Sequence, residues 1–270
     1  MSNFTLREYR NEDIPALKKL WHEVFGDPES LVEKFFGLLG QVGSGHLAEV
    51  NGELAGAAYL LRGLDYVDGD ELIPCGYIYA VASYEKFRGM GIGSALTKAC
   101  AESAKQWHAK MLCTLPAEDS LYKWYEELIG VKPVLYRKER ETECLPGLAC
   151  RKASAAEYIE VREKLLEGSE HLSVSLHLAE FQRRLCEESG GALYLGEGFA
   201  GFGYLEEGIA RIKELVCAEG VSQRAAVGAM GRMMGAARAL WYEADSEGEP
   251  YIAAQGGNVS ENCVWNFSFD

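Results

Sequence analysis

No run in this sequence of 270 residues reaches the roughly 18 consecutive apolar residues of a membrane span. Residues Met1 to Glu8 lack the basic start and apolar core of a secretory signal. Basic residues are in deficit, with 27 Lys and Arg against 41 Asp and Glu and a formal net charge of −14. Sequence-independent binding to nucleic acid needs a strongly basic face, so nucleic acid is not an expected partner. An acidic surface favours cationic small molecules instead. The eight cysteines form no Cys-x-x-Cys pair and the five histidines no His-x-x-x-His, so no metal is expected. Cysteines scattered through apolar contexts read as buried free thiols of a reducing compartment, and the expected location is the cytoplasm.

What is present is a globular composition, 48% hydrophobic and 25% charged, far from the signature of disorder. The length suits one large domain or two ordinary ones. The pattern predicts a strand over Phe4–Tyr9 and then a helix carrying Ile14, Leu17, Leu20, Trp21, Val24 and Phe25 at helical spacing. Gly26-Asp27-Pro28 stops it, and a second helix runs from Ser30 to Leu39. Asn51-Gly52 between two apolar runs marks a hairpin. Asp68-Gly69-Asp70 turns the chain into a strand ending in Cys75 to Ala82. A helix over Gly91–His108, a strand over Met111–Leu115, a helix over Ser120–Ile129 and a strand over Val134–Arg140 follow. The order β-αα-βββ-α-β-α-β predicts an α/β fold with a mixed sheet.

Glu141 to Gly147 reads as a linker, and the first half then repeats. Gly45–Leu60 aligns with Gly191–Leu205, Ile212–Cys217 echoes Tyr77–Ala82, and a long helix over Val227–Trp241 is expected after it. The predicted domains are therefore 1–142 and 148–270.

The chemistry is carried by the segment from Tyr77 to Leu96, where a buried strand runs into a loop with glycines at 89, 91 and 93 and a helix begins inside that loop. A helix start offers unpaired N–H groups and partial positive charge, a ready site for phosphate oxygens. Glycine lets a pyrophosphate approach the backbone, and Arg88 adds a charge-assisted contact. No lysine directly follows these glycines, so this is not a Walker loop. The Gly-x-Gly-x-x-Gly dinucleotide pattern fails at Ser94 and Leu96. Gly43-Ser44-Gly45 follows a predicted helix and leads into a strand, the wrong context for that fingerprint.

What remains, Arg88-Gly-Met-Gly91-Ile-Gly93 at a strand-to-helix junction, resembles the coenzyme A pyrophosphate loop of the GNAT superfamily of N-acetyltransferases. Ala80-Val81-Ala82-Ser83 and Phe87 look like that family's flanking pattern, and the order of elements from Phe4 to Arg140 is similar to its fold. The resemblance implies an acetyl-CoA-dependent N-acetyltransferase. Acetyl-CoA would lie between the strand ending near Val81 and the strand Met111–Leu115. Its contacts would be Val81, Ala82, Ser83, Arg88, Gly89, Met90, Gly91, Ile92, Gly93 and Ser94. Backbone groups of Val81 and Ser83 would meet the pantetheine and acyl carbonyl. Leu121-Tyr-Lys-Trp-Tyr125 through Gly130 resembles the family's late helix, whose tyrosine is the general acid; Tyr125 matches best and Tyr122 is the alternative. For the base that would deprotonate the amine, Glu126, Glu127, Asp65, Asp68, Asp70 and Glu71 are candidates. The acceptor is a small-molecule or peptide amine.

In the second half the loop reads Gln223-Arg-Ala-Ala226-Val-Gly228, with side chains where a pyrophosphate would approach, so it is expected to bind no coenzyme A. Tandem acetyltransferases with one degenerate half, among them the enhanced-intracellular-survival type, are the nearest comparison. The degenerate half would shape the acceptor groove or a homodimer contact. The tail Cys263 to Asp270 alternates like a final strand. A non-catalytic acyl-CoA-binding module is the competing class.

Overall fold

The strand Thr5–Glu8 (β1) leads through a short turn into α1 (Ile14–Phe25), which buries Leu17, Leu20 and Trp21. Pro15 sits in its first turn, where a missing N–H has no helical partner to lose, and Gly26 ends it in the left-handed conformation. A second amphipathic helix, α2 (Glu29–Val42), turns Val32, Phe35, Phe36 and Leu39 inward. The meander of β2 (Gly43–Val50), β3 (Glu53–Asp68) and β4 (Glu71–Ser83) turns first at Asn51 and Gly52, both with positive φ, as a tight hairpin demands. Then come α3 (Ile92–Gln106), β5 (Met111–Thr114), α4 (Asp119–Ile129) and β6 (Lys132–Pro133). The chain continues through β7 (Tyr136–Glu143), β8 (Cys150–Ala153), α5 (Ala155–Leu165), β9 (His171–Val174), α6 (Leu176–Glu188), β10 (Ala192–Gly196) and β11 (Phe199–Glu206). It ends with β12 (Ile209–Cys217), α7 (Gln223–Met233), β13 (Arg238–Ala244), β14 (Glu249–Pro250) and β15 (Ala253–Gln255). The structure, a computed structural model, describes residues 3–269. No helix among the described residues is long and apolar enough to cross a membrane.

The fold is mixed α/β, with two mixed sheets. One runs β1-β2-β3-β4-β5-β15-β6, antiparallel from β1 to β3 and parallel between β4 and β5. The other runs β14-β7-β13-β12-β11-β10-β8, antiparallel from β10 to β12 and parallel between β12 and β13. In each sheet a crossover helix, α3 or α7, joins the parallel pair, as a parallel connection requires.

Packing draws two compact units. The first takes the chain through Asp65, Ile73–Val134 and Tyr251–Asn258; the second takes Tyr66–Leu72, Leu135–Pro250 and the chain from Val259. Beside the contiguous halves 1–142 and 148–270, the turn Tyr66–Leu72, with the end of β3 and the start of β4, groups with the second unit, and two whole strands change sides. In the first unit β15 pairs with β5, Ala253 opposite Thr114 and Ala254 opposite Cys113. In the second, β7 pairs with β13, Thr142 opposite Ala239 and Glu141 opposite Leu240.

The helix expected over Val227–Trp241 ends early. Gly235, at φ 76°, closes α7, with its N–H on the Arg232 carbonyl at 3.0 Å and the Ala236 N–H on the Gly231 carbonyl at 2.9 Å. The alanine-rich stretch that follows becomes β13 because β12 and β7 flank it, and pairing on both sides overrides propensity. The tail expected as a strand makes an isolated bridge, Val264 to His171. Its alternation buries Trp265, Phe267 and Phe269 instead; Asp270 lies outside the described residues.

An ion network occupies the second unit's core. Arg162 donates from Nε and Nη2 to the Glu214 carboxylate at 2.8 and 3.0 Å, and the Tyr158 hydroxyl donates to the same group at 2.7 Å. Both Arg162 and Glu214 side chains are 0% exposed. The third guanidinium nitrogen, Nη1, donates to Glu163 at 2.8 Å.

Candidate active site

The β4–β5 register runs Cys75 with Met111, Gly76 with Leu112 and Tyr77 with Cys113, and stops. Beyond it the two strands are linked through a side chain, the Thr114 hydroxyl donating to the Ile78 carbonyl at 3.0 Å. One cause of the parting lies in β4 itself, where Ala80 has φ 49°, a left-handed conformation that costs a non-glycine residue about 1–2 kcal/mol. The irregularity shifts side-chain alternation. Ile78 belongs to the apolar cluster beneath α3 and α4, and so does Val81, three residues on rather than two or four. A bulge of this kind re-aims the backbone beside a site. Nothing about an alanine announces it in the sequence.

Past β4 the chain makes a single 3-10 turn over Glu85–Phe87, and α3 begins after Gly91. Gly89 and Gly91 have φ of 79° and 80°, so glycine is dictated there by backbone conformation. Gly93 is different. Its φ is ordinary, and a Cβ added to it would meet nothing within 4 Å; the fold alone gives no reason for glycine. The first helical bond runs from the Ala95 N–H to the Gly91 carbonyl at 3.0 Å. The N–H groups of Ile92, Gly93 and Ser94 therefore precede the ladder, and no side chain caps them.

These groups border a cavity of about 360 Å³ lined by Ser83, Phe87, Arg88, Gly89, Gly91, Ile92, Gly93, Ser94 and Trp124. Seven of the expected cofactor contacts are thus together. Three are not in the lining: Ala82 is buried, Val81 is half-buried, and Met90 packs against the apolar cluster. The exposed Arg88 guanidinium pairs with no carboxylate among the described residues. Trp124, which sequence reasoning passed over, lines the cavity from α4 and meets the Tyr125 ring edge-on at 4.7 Å. Its place one residue before Tyr125 was the available signal.

The two tyrosines of α4 divide cleanly. Tyr122 donates its hydroxyl to the Tyr251 carbonyl at 2.8 Å, a buried contact. Tyr125, 6% exposed, sits in the cluster with Ile78, and burial pushes its phenol up to about 12. It is protonated at neutral pH, as a general acid must be.

None of the six carboxylates considered as the base lines this cavity. Glu126, Glu127, Asp68, Asp70 and Glu71 are exposed. Burial raises the Asp65 carboxyl, but Asp65 stands ten residues along β3 from Ala55, whose carbonyl accepts the Tyr84 N–H at 3.0 Å beside the cavity. At strand spacing that is about 30 Å.

The corresponding helix start in the second unit is closed. The Ser222 hydroxyl accepts the Ala225 N–H at 3.3 Å, Arg224 turns away to donate to Thr142 at 3.0 Å, and Ala226 is fully buried. A Cβ on Gly228 would touch Cys144 and Glu143 at 3.7 Å. The adjacent cavity of about 660 Å³ is lined by two carboxylates, Glu141 and Glu143, and two guanidiniums, Arg224 and Arg238, the latter paired with Glu141, so it offers no excess of positive charge to an anion.

The site is thus a strand-loop-helix junction with uncapped N–H groups, close to a buried tyrosine on a mixed sheet whose parallel pair parts. Residues 5–126 match the family described as Acetyltransferase (GNAT) domain. Through this region, which is under half of the chain, the protein is similar to the GNAT superfamily. A GCN5-related N-acetyltransferase from Kribbella flavida superposes with a TM-score of 0.69 at 17% identity, over 93% of this chain and 70% of that one. One from Anabaena variabilis gives 0.68 at 14%, over 93% and 72%. Eis1 from Mycobacterium abscessus gives 0.60 at 13%, over 92% and 66%. Likeness at these identities is likeness of fold. No curated protein sequence matches the chain significantly.

Proposed function

We propose that the first unit transfers an acetyl group from acetyl-CoA to an amine by direct attack, and that the second half is a degenerate copy of the same domain that holds no coenzyme. The observation that carries this reading is the α3 start. Three uncapped N–H groups, an unpaired Arg88 and a Gly93 without structural need border one cavity, and a pyrophosphate supplies the missing partner for all of them. The Val81 N–H, just past the bulge, holds the oxyanion of the tetrahedral intermediate, and Tyr125 protonates the departing thiolate. The acceptor is a small-molecule or peptide amine. All eight cysteines are free, which supports a reducing, cytoplasmic setting.

The test is thiol release from acetyl-CoA with a panel of primary amines, alongside calorimetry. Binding without release on any amine favours the non-catalytic module; neither binding nor release rejects the coenzyme reading. The neutral amine attacks, so kcat/KM should rise about tenfold per pH unit toward the pKa of a lysine-like amine, about 10. Tyr125, pushed up to about 12, should impose no alkaline fall below pH 11, and a pH profile of the same assay checks both limbs.

Gly93→Ala separates ligand from fold. With open space around the site, the protein should be as stable or gain up to about 1 kcal/mol from helix propensity, while acetyl-CoA affinity falls about tenfold. Thermal unfolding and calorimetry read the two effects; undiminished affinity would detach Gly93 from the coenzyme.

A further inference from the structure

The Trp124 indole has two neighbours of different kinds. It lines the cavity of about 360 Å³ that the α3 start borders, and it meets the Tyr125 ring with centroids 4.7 Å apart and planes at 77°, the edge-to-face geometry that aromatic pairs favour. The ring is half-buried and packs against the apolar cluster that includes Ile92, Leu96 and Tyr125. Its N–H is a donor only, and no acceptor for it stands among the described residues. Phe87, half-buried against the same cluster, is the cavity's other aromatic wall. Indole suits a place where one part of a side chain meets its own core and another meets a bound molecule, since it joins a large apolar surface to a polar tip. Of the five tryptophans, Trp124 alone lines this cavity.

We propose that Trp124 is the residue on which the pantetheine arm of coenzyme A lies, and that its ring contact makes it the positioning residue for Tyr125. This rests on the acetyl-transfer reading. With the pyrophosphate at the α3 start and the thioester within reach of the Tyr125 hydroxyl, the arm is the part of the coenzyme that spans the space between. Trp124 borders the first of these places and touches the second, so the arm runs across it. The indole N–H then donates to an amide carbonyl of the arm, and the arm's methylene groups cover the ring. No covalent bond is made or broken in this contact. Its effect on the chemistry is geometric: an occupied cavity fixes the indole, and the indole holds the phenol edge-on in line with the departing sulfur.

Trp124→Phe keeps an aromatic ring and removes the N–H; Trp124→Ala removes both. Calorimetry compares coenzyme A with 3′-phosphoadenosine 5′-diphosphate, which keeps the pyrophosphate and lacks the arm. W124F should weaken coenzyme A about fivefold, the worth of one hydrogen bond, and W124A about thirtyfold as ring contact is lost too. Both should leave the armless nucleotide within about twofold of wild type. Coenzyme A should shift the tryptophan emission of the wild type, and W124F should abolish that shift. At saturating acetyl-CoA, with an amine that the wild type acetylates, W124A should lose about tenfold in kcat and W124F should restore it to within about threefold. In a Tyr125→Phe background W124A should lower kcat no further, because the hydroxyl it positions is gone. Undiminished coenzyme A affinity in W124A, an equal weakening of the armless nucleotide, an emission shift that survives in W124F, or a full additional fall in kcat on Y125F would each overturn the proposal. If W124A does not fold, Trp124→Leu enters the same comparisons with the same expectations. A wild type that binds no coenzyme A or turns over no amine would instead remove the reading on which the proposal rests.

Discussion

Replacing Tyr125 by Phe should lower kcat about a hundredfold or more, the usual worth of a positioned general acid, while acetyl-CoA affinity changes less than threefold. The phenol is 6% exposed and held protonated by burial, so its removal takes away a proton donor and little contact area. The control is Tyr122→Phe. That hydroxyl donates to the Tyr251 carbonyl, and its loss removes one buried hydrogen bond, a destabilisation of about 1 kcal/mol with kcat retained. Steady-state thiol release and urea unfolding on both variants decide the matter. Equal kcat in Y125F and wild type would remove Tyr125 as the acid, and a selective kcat loss in Y122F would transfer the role.

A second large effect is expected far from chemistry, in the core of the second unit. Glu214→Ala should destabilise that unit by about 3–5 kcal/mol, the cost of breaking a buried pair from one side. It strands the Arg162 Nε and Nη2 groups and the Tyr158 hydroxyl together, and 0% exposure allows no water to replace the carboxylate. Glu163 still holds Nη1 at 2.8 Å, so the guanidinium stays charged and the loss falls on the other two nitrogens. Chemical unfolding followed by circular dichroism reads the change. A loss under 1 kcal/mol would mean that the network relaxes or hydrates on mutation.

The phosphate-loop candidate was readable from sequence because its residues are chosen by local rules. Gly89 and Gly91 answer to backbone dihedrals, and Gly93 answers to nothing in the fold. The hairpin at Asn51-Gly52 and the stop at Gly26 were readable for the same reason. The bulge at Ala80 was not, since alanine carries no preference for a positive φ and the distortion is imposed by surrounding strands. Pairing between β5 and β15 joins residues some 140 positions apart, a relation no window of sequence contains. In the stretch Ala236 to Ala239, helix-favouring residues form part of β13 and its approach; only the flanking strands reveal which choice wins. Between Tyr122 and Tyr125 the sequence left two registers, and a single hydrogen bond to Tyr251 distinguishes their surroundings.

The pairing of β15 with β5 has a consequence for biosynthesis. Until residues 253–255 leave the ribosome, β5 has one free flank in the sheet that carries the candidate site, and an unpaired flank invites pairing with another chain. The first unit therefore cannot complete its sheet until residue 255 has emerged, more than a hundred residues after β5. A truncation after residue 148 would keep the loop from Arg88 to Ser94 and the tyrosine of α4, yet yield a product prone to aggregate rather than a smaller enzyme.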